Sequence, residues 1–405
     1  MNNKSALSGI RVADFTWVWA GPYAIMLLAY MGAEVIKIES AKRIDTSRMG
    51  SITTGQAFAG WDASSVFNNV NLNKLSVTLD LGNPKGVGLA KRIVSISDVA
   101  AQNMRPGVMD RLGLGYEELR KVKPDIIMLS SSAYGAEGPY REYTGYAQHF
   151  SAFSGQAYMA GYPDGEPNLM TGATDIRSAT TAAFAVLAAL NYRQRTGEGQ
   201  HIDVSSTETI SVLYGDAIMD YSMNRRQPSR TGNRDSFMAP HNCYRCRGTD
   251  KWISIAVASD GEWEALCRAM GNPAWSTNGR FSDSYSRWQN QEQLDRLIEE
   301  WTVTQSPREA MERLQAAGVA AMPSFSAEDL FSDPHMKARE AFAEVQHSVM
   351  GKQVVMNPPF KLSETPAGIK TAGPLLGAHN DYVFGELLGM PEQEITRLKE
   401  EKVIY

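Results

Sequence analysis

The first 40 residues alternate between strand-forming and helix-forming segments, and this alternation constrains the fold more than any other feature of the sequence. Residues 10–15 are rich in β-forming side chains, residues 23–30 are compact and apolar, and residues 34–39, E-V-I-K-I-E, favour a second strand. Pro22 fits the first turn of a helix, because the amide that it lacks would have no partner there. The order strand, helix, strand predicts a βαβ unit and therefore a parallel sheet.

Further segments of both kinds follow, so we predict an α/β chain. Helices are expected at residues 84–95 and 116–122, and two long ones at 176–193 and 206–223, with the strand H-I-D-V between the last two. Residues 224–235 form a polar connector without hydrophobic periodicity, and we place a domain boundary there. The length of 405 residues exceeds one typical core and also favours two domains.

Charge and composition exclude several classes of partner. The net charge is −5 and no basic block is present, which argues against nucleic acid or an anionic membrane as the main partner. The start of the chain lacks the apolar core of a signal peptide, and no run of about 18 apolar residues could span a membrane, so we expect a cytoplasmic protein. Cys243 and Cys246 with His241 fall short of the four ligands of a structural zinc site, and the six histidines form no spaced cluster. No metal is therefore expected.

The loop between the first strand and the first helix decides against a dinucleotide cofactor. Glu39 ends the βαβ unit, about where an acid that binds ribose would fall. The loop itself is W-V-W-A-G-P, which lacks the G-x-G-x-x-G pattern that lets a diphosphate approach the backbone. NAD and FAD are therefore not expected, and no P-loop, G-x-S-x-G or H-E-x-x-H motif is present.

Several separated blocks, in this order and spacing, resemble the class III coenzyme A transferases of the CaiB/BaiF type. They are D-F-T-W-V-W-A-G-P, G-A-E-V-I-K-I-E, N-K-L-S-V-T-L-D-L, Q-N-M-R-P-G-V-M-D-R-L-G-L, A-Y-G-A-E-G-P-Y, T-G-A-T-D-I-R-S, R-T-G-E-G-Q-H-I-D-V-S and P-L-L-G-A-H-N-D. The resemblance implies a large Rossmann-like domain from residues 1–225 and 330–405, and a smaller α+β domain from residues 230–325. It also implies two subunits interlocked like rings of a chain, as a homodimer or with a homologous subunit.

The implied activity moves coenzyme A (CoA) from an acyl-CoA to a small carboxylic acid, with no permanently bound cofactor, and Asp175 is implied as its nucleophile. By its position alone, after a glycine-containing turn and before a helical pattern, Asp175 predicts a helix N-cap. The resemblance implies that the carboxylate attacks the thioester and forms an acyl-aspartyl mixed anhydride, and that an aspartyl-CoA thioester can follow. We expect the helix N-terminus to help keep Asp175 ionised.

The same resemblance implies residues that bind CoA. Asn103, Met104 and Arg111 align with positions that hold the CoA moiety, and Ala20 aligns with a backbone contact near the thioester. An arginine is chemically suited to an anionic phosphate.

Two departures from the family pattern affect the expected CoA site. Ser40 stands where some members have an arginine near the adenine, and Leu75 replaces the usual arginine of N-K-R-S. We expect the neighbouring cations Lys42, Arg43 and Lys74 to compensate.

The acyl pocket is expected to favour a bulky acid. Members that act on oxalate have a glutamine where this chain has Trp19, and a tryptophan offers a large apolar face instead of an amide. We therefore predict that Trp17, Trp19 and Tyr146 line a pocket for a partly apolar or aromatic acid of the aryl-succinate kind.

Two alternatives stay open. A 2-methylacyl-CoA racemase has the same fold but needs a histidine after the glycine of a G-H-D motif, whereas this chain has Gly145, Tyr146 and Ala147, with His149 further along. The chain could instead be a non-catalytic subunit of a heteromeric transferase, although Asp175 is then unexplained.

Overall fold

The computed structural model describes residues 5–50 and 60–405, and its largest sheet has six parallel strands. These strands are β1 (Arg11–Asp14), β2 (Glu34–Glu39), β3 (Lys74–Thr78), β4 (Val99–Gln102), β5 (Ile127–Ser132) and β6 (His201–Ser205). Their order in the sheet is β3-β2-β1-β4-β5-β6, and every pairing is parallel. This is the strand order of a Rossmann-like sheet, so the predicted fold class is confirmed.

Helices cover both faces of this sheet. Up to residue 224 they are α1 (Ala20–Tyr30), α2 (Ser65–Val70), α3 (Pro84–Ser95), α4 (Val108–Arg111), α5 (Tyr116–Val122), α6 (Ala147–Phe153), α7 (Gln156–Met159), α8 (Thr171–Thr196), α9 (Ser206–Ser211) and α10 (Gly215–Asn224). Helices α1 and α8 share one apolar cluster with one face of β1, β4 and β5, and α3 and α5 share another with the opposite face. The central strands are therefore buried on both faces, which is why they read as continuous apolar runs.

Two long helices differ from their predicted bounds. Helix α8 begins at Thr171 rather than residue 176, because Met170 adopts a left-handed conformation, φ 43° and ψ 41°, and the helix starts directly after it. The predicted helix at residues 206–223 is interrupted by a 3-10 turn, Val212–Tyr214, next to Gly215. Glycine lowers helix propensity and favours a break at such a position.

The chain divides into two compact units. The first comprises Met1–Gln156, Leu169–Met223 and Lys337–Tyr405, and the second comprises Ala157–Asn168 and Asn224–Met336. The second unit contains an antiparallel sheet of β7 (His241–Arg245), β8 (Trp252–Ala256) and β9 (Ala320–Pro323). Its helices are α11 (Asp260–Met270), α12 (Ser284–Gln289), α13 (Gln291–Thr302), α14 (Pro307–Ala316), α15 (Ala327–Ser332) and α16 (Pro334–Ala338), the last of which crosses the limit of the unit.

The C-terminal part of the chain returns to the first unit. It forms an antiparallel hairpin of β10 (Phe342–His347) and β11 (Gly351–Met356), a π-helical segment, Asp381–Leu387, and α17 (Glu392–Glu400). Asn380 fixes this part to the edge strand β3, because its Oδ1 accepts the Thr78 amide at 3.0 Å. No helix within the described ranges combines the length and the apolar character needed to cross a membrane.

Candidate active site

The loops that follow β1 and β4 meet at the place where the strand order of the sheet reverses, which is where open α/β sheets bind ligands. Asn103 joins the two loops. The Trp17 amide donates to Asn103 Oδ1 at 2.7 Å, and Asn103 Nδ2 donates to the Trp17 carbonyl at 2.8 Å. A Cβ on Gly21 would lie 2.7 Å from Thr16 Cβ and 2.8 Å from Asn103 Cγ, so only glycine fits at this crossing.

A buried ion pair lies under the β1 loop. Lys74 Nζ lies 2.8 Å from Asp14 Oδ2 and also donates to the Pro22 carbonyl at 2.9 Å, and both side chains are fully buried. Burial alone would raise the pKa of Asp14, but Lys74 and Lys37 hold it below its ordinary value. Since the Lys74 ammonium is used inside the protein, the structure does not bring it to a ligand surface, contrary to its expected role in binding CoA.

A second buried pair fixes the backbone of the same loop. Lys37 Nζ donates to the Thr16 carbonyl at 2.7 Å and lies 3.6 Å from Asp45 Oδ2. Asp45 in turn accepts the Val18 amide, at 3.2 and 3.3 Å to its two oxygens. Val18 has a φ of 68°, which is costly for a β-branched residue, and these contacts hold it there.

The two loops and the segment after β5 enclose a cavity of about 490 Å³. It is lined by five of the residues that the sequence predicted for the site, Trp17, Asn103, Met104, Arg111 and Tyr146. Asn103 takes part through its position between the loops, because its side chain is already bound to Trp17.

Three further arginines line this cavity: Arg43, Arg105 and Arg141. The guanidinium of Arg43 lies 5.2 Å from the centre of the Trp17 ring. Of the three cations expected to compensate for Ser40 and Leu75, Arg43 is the one that lines the cavity, whereas Lys42 pairs with Asp80 at 2.6 Å. The sequence analysis did not select Arg105 or Arg141, although Arg105 lies within one block that carries the family resemblance and Arg141 directly follows another.

The cavity therefore has a strongly positive wall. Four arginines line it, and none of the described residues that line it is acidic. Guanidinium groups bind phosphate oxygens through paired hydrogen bonds, and a cavity with one sign of charge concentrates ligands of the opposite sign. We refer to it below as the arginine cavity.

Asp175 lies inside α8 and does not line the arginine cavity. It is the fifth residue of the helix, and the N-cap position is held by Met170, whose side chain makes no capping hydrogen bond, so the predicted N-cap role of Asp175 is wrong. The Asp175 carboxylate has no hydrogen bond or ion pair to any residue in the described part of the chain. Burial raises its pKa to about 6, so the helix N-terminus does not hold this pKa low as expected.

The remaining predicted site residues lie outside the lining of the arginine cavity. Trp19 is half-buried and stacks on Tyr23, with ring centres 5.6 Å apart. Ala20 is the first residue of α1. The structure thus brings Trp17 and Tyr146 to the cavity, but not Trp19.

Two side chains that could indicate a racemase or a dinucleotide-binding protein are instead bound to other residues of the chain. His149 Nδ1 accepts the Tyr146 amide at 3.2 Å, so this ring caps α6 and its Nδ1 is not free to act as a base. Both oxygens of Glu39 are bound by Arg48, at 2.8 Å each, as in a structural ion pair and not a ribose site. Across residues 5–50 and 60–405, no group of three or more His, Cys, Asp or Glu is placed to hold a metal ion.

The chain is similar to known proteins over nearly its whole length. The model of CoA-transferase family III matches residues 7–380. The succinyl-CoA–L-malate CoA-transferase beta subunit of Chloroflexus aurantiacus is 34% identical over 404 residues, and the match covers 98% of each chain. The succinyl-CoA–D-citramalate CoA-transferase of the same organism is 34% identical over 399 residues, again with 98% of each chain covered. A solved CAIB/BAIF family protein from Brucella suis has a TM-score of 0.85 and 29% identity, covering 95% of this chain and 100% of that one.

We expect Asp175→Asn to stabilise the protein at neutral pH. With a folded pKa of about 6 and an unfolded pKa near 3.8, Asp175 binds more protons in the folded state between these values, so its contribution to stability falls as pH rises through that window. The contribution of an asparagine to stability does not change with pH. The gain in free energy of unfolding should grow from near zero at about pH 4 to about 2 kcal/mol at about pH 8. This value is lower than the full pKa difference implies, because the side chain is partly exposed to solvent.

Urea unfolding of both proteins across this pH range measures the difference. Glu312→Gln, which removes an exposed carboxylate from α14, is the matched control and should give no such trend. A gain for Asp175→Asn that is the same at both ends of the range would contradict the raised pKa.

Proposed function

Because the chain belongs to CoA-transferase family III and is an acyl-CoA:carboxylate CoA-transferase, we propose that it holds the nucleotide end of CoA in the arginine cavity and transfers acyl groups through Asp175. The observation that carries this proposal is the set of four arginines that line one cavity at the switch point of the sheet. The nucleotide end of CoA carries a diphosphate and a 3′-phosphate, which need several cations in one place.

Trp17 adds a flat surface to this binding site. Its ring already accepts Arg43 on one side, and an aromatic ring next to a guanidinium favours stacking with a base such as adenine. Arg43 thereby fills the role for which the family pattern has an arginine at the position of Ser40.

Burial has two opposing effects on Asp175: it makes the carboxylate a better nucleophile, and it raises the pKa. A desolvated carboxylate without hydrogen-bond donors is a better nucleophile than a solvated one, but it acts only when it is ionised, which requires a pH above about 6. A carboxylate oxygen attacks the carbonyl carbon of the thioester, the C–S bond breaks, and CoA leaves as a thiolate. The product at Asp175 is a mixed anhydride.

The thiolate then attacks the aspartyl carbonyl of this anhydride. The donor acid leaves as a carboxylate, and Asp175 becomes a CoA thioester. The carboxylate of the acceptor acid attacks this thioester, which forms a second anhydride and releases the thiolate again. Attack of the thiolate on the acyl carbon of the acceptor gives the new acyl-CoA and restores the Asp175 carboxylate, so no other reactant is consumed.

We further propose that the acceptor is a succinate with a substituent at C2. Two relatives are named for L-malate and D-citramalate, which are both succinates with a hydroxyl group at C2. In this chain the stack of Trp19 on Tyr23 offers an apolar face at the start of α1, as expected for an aromatic or bulky substituent. An aryl-substituted succinate fits both features.

The exposed surface of the first unit supports a permanent oligomer. Several large apolar side chains of α8 and of the segment from residue 212 to residue 223 are more than two-fifths exposed: Phe184, Val212, Leu213, Ile218, Met219 and Met223. Patches of this kind are typical of surfaces that a subunit covers. We propose that a second subunit covers these side chains. It is either a second copy of this chain or a homologous subunit, like the partner implied by the name of the malate enzyme's beta subunit.

Trapping tests the covalent step. The protein incubated with succinyl-CoA and then hydroxylamine should gain a hydroxamate on Asp175, located by mass mapping of peptides. Asp175→Asn should lower kcat by at least about 1,000-fold, because the nucleophile is lost. Glu312→Gln, in the second unit, is the matched control and should keep full activity. Trapping on any other residue, or full activity of Asp175→Asn alone, would contradict the assignment of Asp175. Full activity of Asp175→Asn only when it is mixed with a homologous subunit would assign the chain a non-catalytic part.

The arginine cavity is tested by shortening the substrate. Arg111→Ala should raise KM for acyl-CoA about tenfold with little change in kcat, since a charge-assisted contact to a phosphate contributes about 1.5 kcal/mol. KM for the corresponding acyl-pantetheine thioester, which lacks the nucleotide, should not change. The control is Arg195→Ala, an exposed arginine at the end of α8. An equal increase in KM for both thioesters would show that Arg111 acts elsewhere.

A panel of acceptors tests the acyl pocket. Phenylsuccinate and benzylsuccinate should have kcat/KM values above those of oxalate and unsubstituted succinate, because burial of an aryl group adds apolar contact. Trp19→Gln should lower kcat/KM for the aryl acids by about tenfold and leave malate nearly unchanged. Equal turnover of oxalate and the aryl acids, unaltered in Trp19→Gln, would contradict the proposed pocket.

A further inference from the structure

A second cavity, of about 300 Å³, lies against β4, β5 and β6. Its lining and its charge differ from those of the arginine cavity. Three methionines, Met104, Met109 and Met128, supply apolar surface, and we call it the methionine cavity. It shares a few lining residues with the arginine cavity, among them Met104 and Ser132. Nothing in the proposed transfer reaction uses its other walls.

The charge of the methionine cavity is opposite to that of the arginine cavity. The carboxylates of Asp110, Glu117 and Asp203 line it, and no arginine or lysine is among the described residues that do so. Glu117 has one cationic neighbour, Arg120 at 3.8 Å, but this pair is exposed and contributes little. A cavity of this charge repels phosphates and carboxylates and favours a cation.

One wall of the methionine cavity is aromatic. Tyr116 stacks on His201 with ring centres 5.3 Å apart, and His201 Nε2 lies 2.8 Å from Ser130 Oγ, which holds the imidazole in place. The Arg120 guanidinium also lies 5.5 Å from the centre of the Tyr116 ring, but Arg120 does not line the cavity. Thioethers and aromatic faces together are suited to an organic cation with an apolar body.

An amide side chain gives the cavity a hydrogen-bond donor. Gln102 is 6% exposed and lines the cavity, and its Oε1 accepts the Met104 amide at 2.7 Å. Its Nε2 donates to no residue in the described part of the chain. Since Oε1 is held by the backbone, Nε2 is the atom left to donate to a ligand that offers an oxygen acceptor. The Ser132 hydroxyl, which lines the same cavity, is buried without a partner.

We propose that the methionine cavity is a binding site for a small organic cation that has an apolar body and one carbonyl oxygen. Its ammonium group faces the three carboxylates, its apolar body lies on the methionines beside Tyr116 and His201, and its carbonyl accepts a hydrogen bond from Gln102 Nε2. The site is independent of the transferase proposal, because its ligand is neither an acyl-CoA nor a carboxylic acid.

Binding of phenylalanine amide to the full chain tests this site. This probe carries the ammonium, the carbonyl and an apolar body, and 3-phenylpropanamide is its neutral match, with only the ammonium missing. By isothermal titration calorimetry we expect a Kd of about 1 mM for the cation, as for a ligand of a dozen atoms. The neutral amide should bind at least about tenfold more weakly, because it lacks the interaction with the carboxylates.

Matched variants locate the site. Glu117→Gln and Asp203→Asn should each weaken binding of phenylalanine amide about threefold, because each removes one facing charge. Glu118→Gln, which changes the neighbouring residue that pairs with Lys91 and Lys121 outside the cavity, should leave Kd unchanged.

Other results overturn the proposal. Absence of binding, equal binding of the neutral amide, or a Kd that neither Glu117→Gln nor Asp203→Asn changes would show that no cation site is present. Displacement of phenylalanine amide by CoA would assign the cavity to the CoA site. Asp175→Asn should still bind phenylalanine amide. This result would support the cation site even if the transferase proposal failed.

Discussion

Two buried ion pairs under the β1 loop are the constraint on which the rest of the site depends. Asp14, Lys37, Asp45 and Lys74 are at most 2% exposed, and a buried charge is tolerated only when it is paired and hydrogen-bonded. Several of their other bonds go to the backbone of the loop, to the carbonyls of Thr16 and Pro22 and the amide of Val18, while the Thr16 and Ser47 hydroxyls donate to Asp14 and Asp45. The pairs therefore fix the path of the chain between β1 and α1. Removal of one partner leaves a charge without compensation and also frees the loop.

From this fixed loop, the strand order leads directly to the arginine cavity. β1 and β4 are neighbours at the point where the strand order reverses, and open α/β sheets have a ligand crevice at such a point. The loops after these two strands meet at Asn103, which lines the arginine cavity. Arginines from separate segments of the chain then converge on that cavity: Arg43 after β2, Arg105 and Arg111 after β4, and Arg141 after β5. The four arginines therefore come from three separate segments of the sequence, each of which follows a strand of the sheet.

The elements with clear periodicity could be predicted from the sequence. The predicted bounds of α3 and α5 are those of the structure, because an apolar face with a helical repeat and a Pro or Gly at its limit is a local signal. Long-range pairing was not accessible in this way. Lys74 and Asp14 are 60 residues apart, so an apparent surface cation was in fact the partner of a buried acid. The start of α8 was also missed, because Met170 in a left-handed conformation carries none of the usual capping side chains. The role of Asp175 as a nucleophile and the acceptor acid stay predictions.

The isolation of the Asp175 carboxylate has a consequence for the energy of the whole chain. A half-buried carboxylate that no donor stabilises is less favourable in its ionised form than the same group in water, and burial raises its pKa to about 6 for this reason. The cost falls on the folded chain alone, since the unfolded chain leaves the carboxylate in water. A neutral group at position 175 removes this cost, so the fold is more stable with the charge absent than with it present.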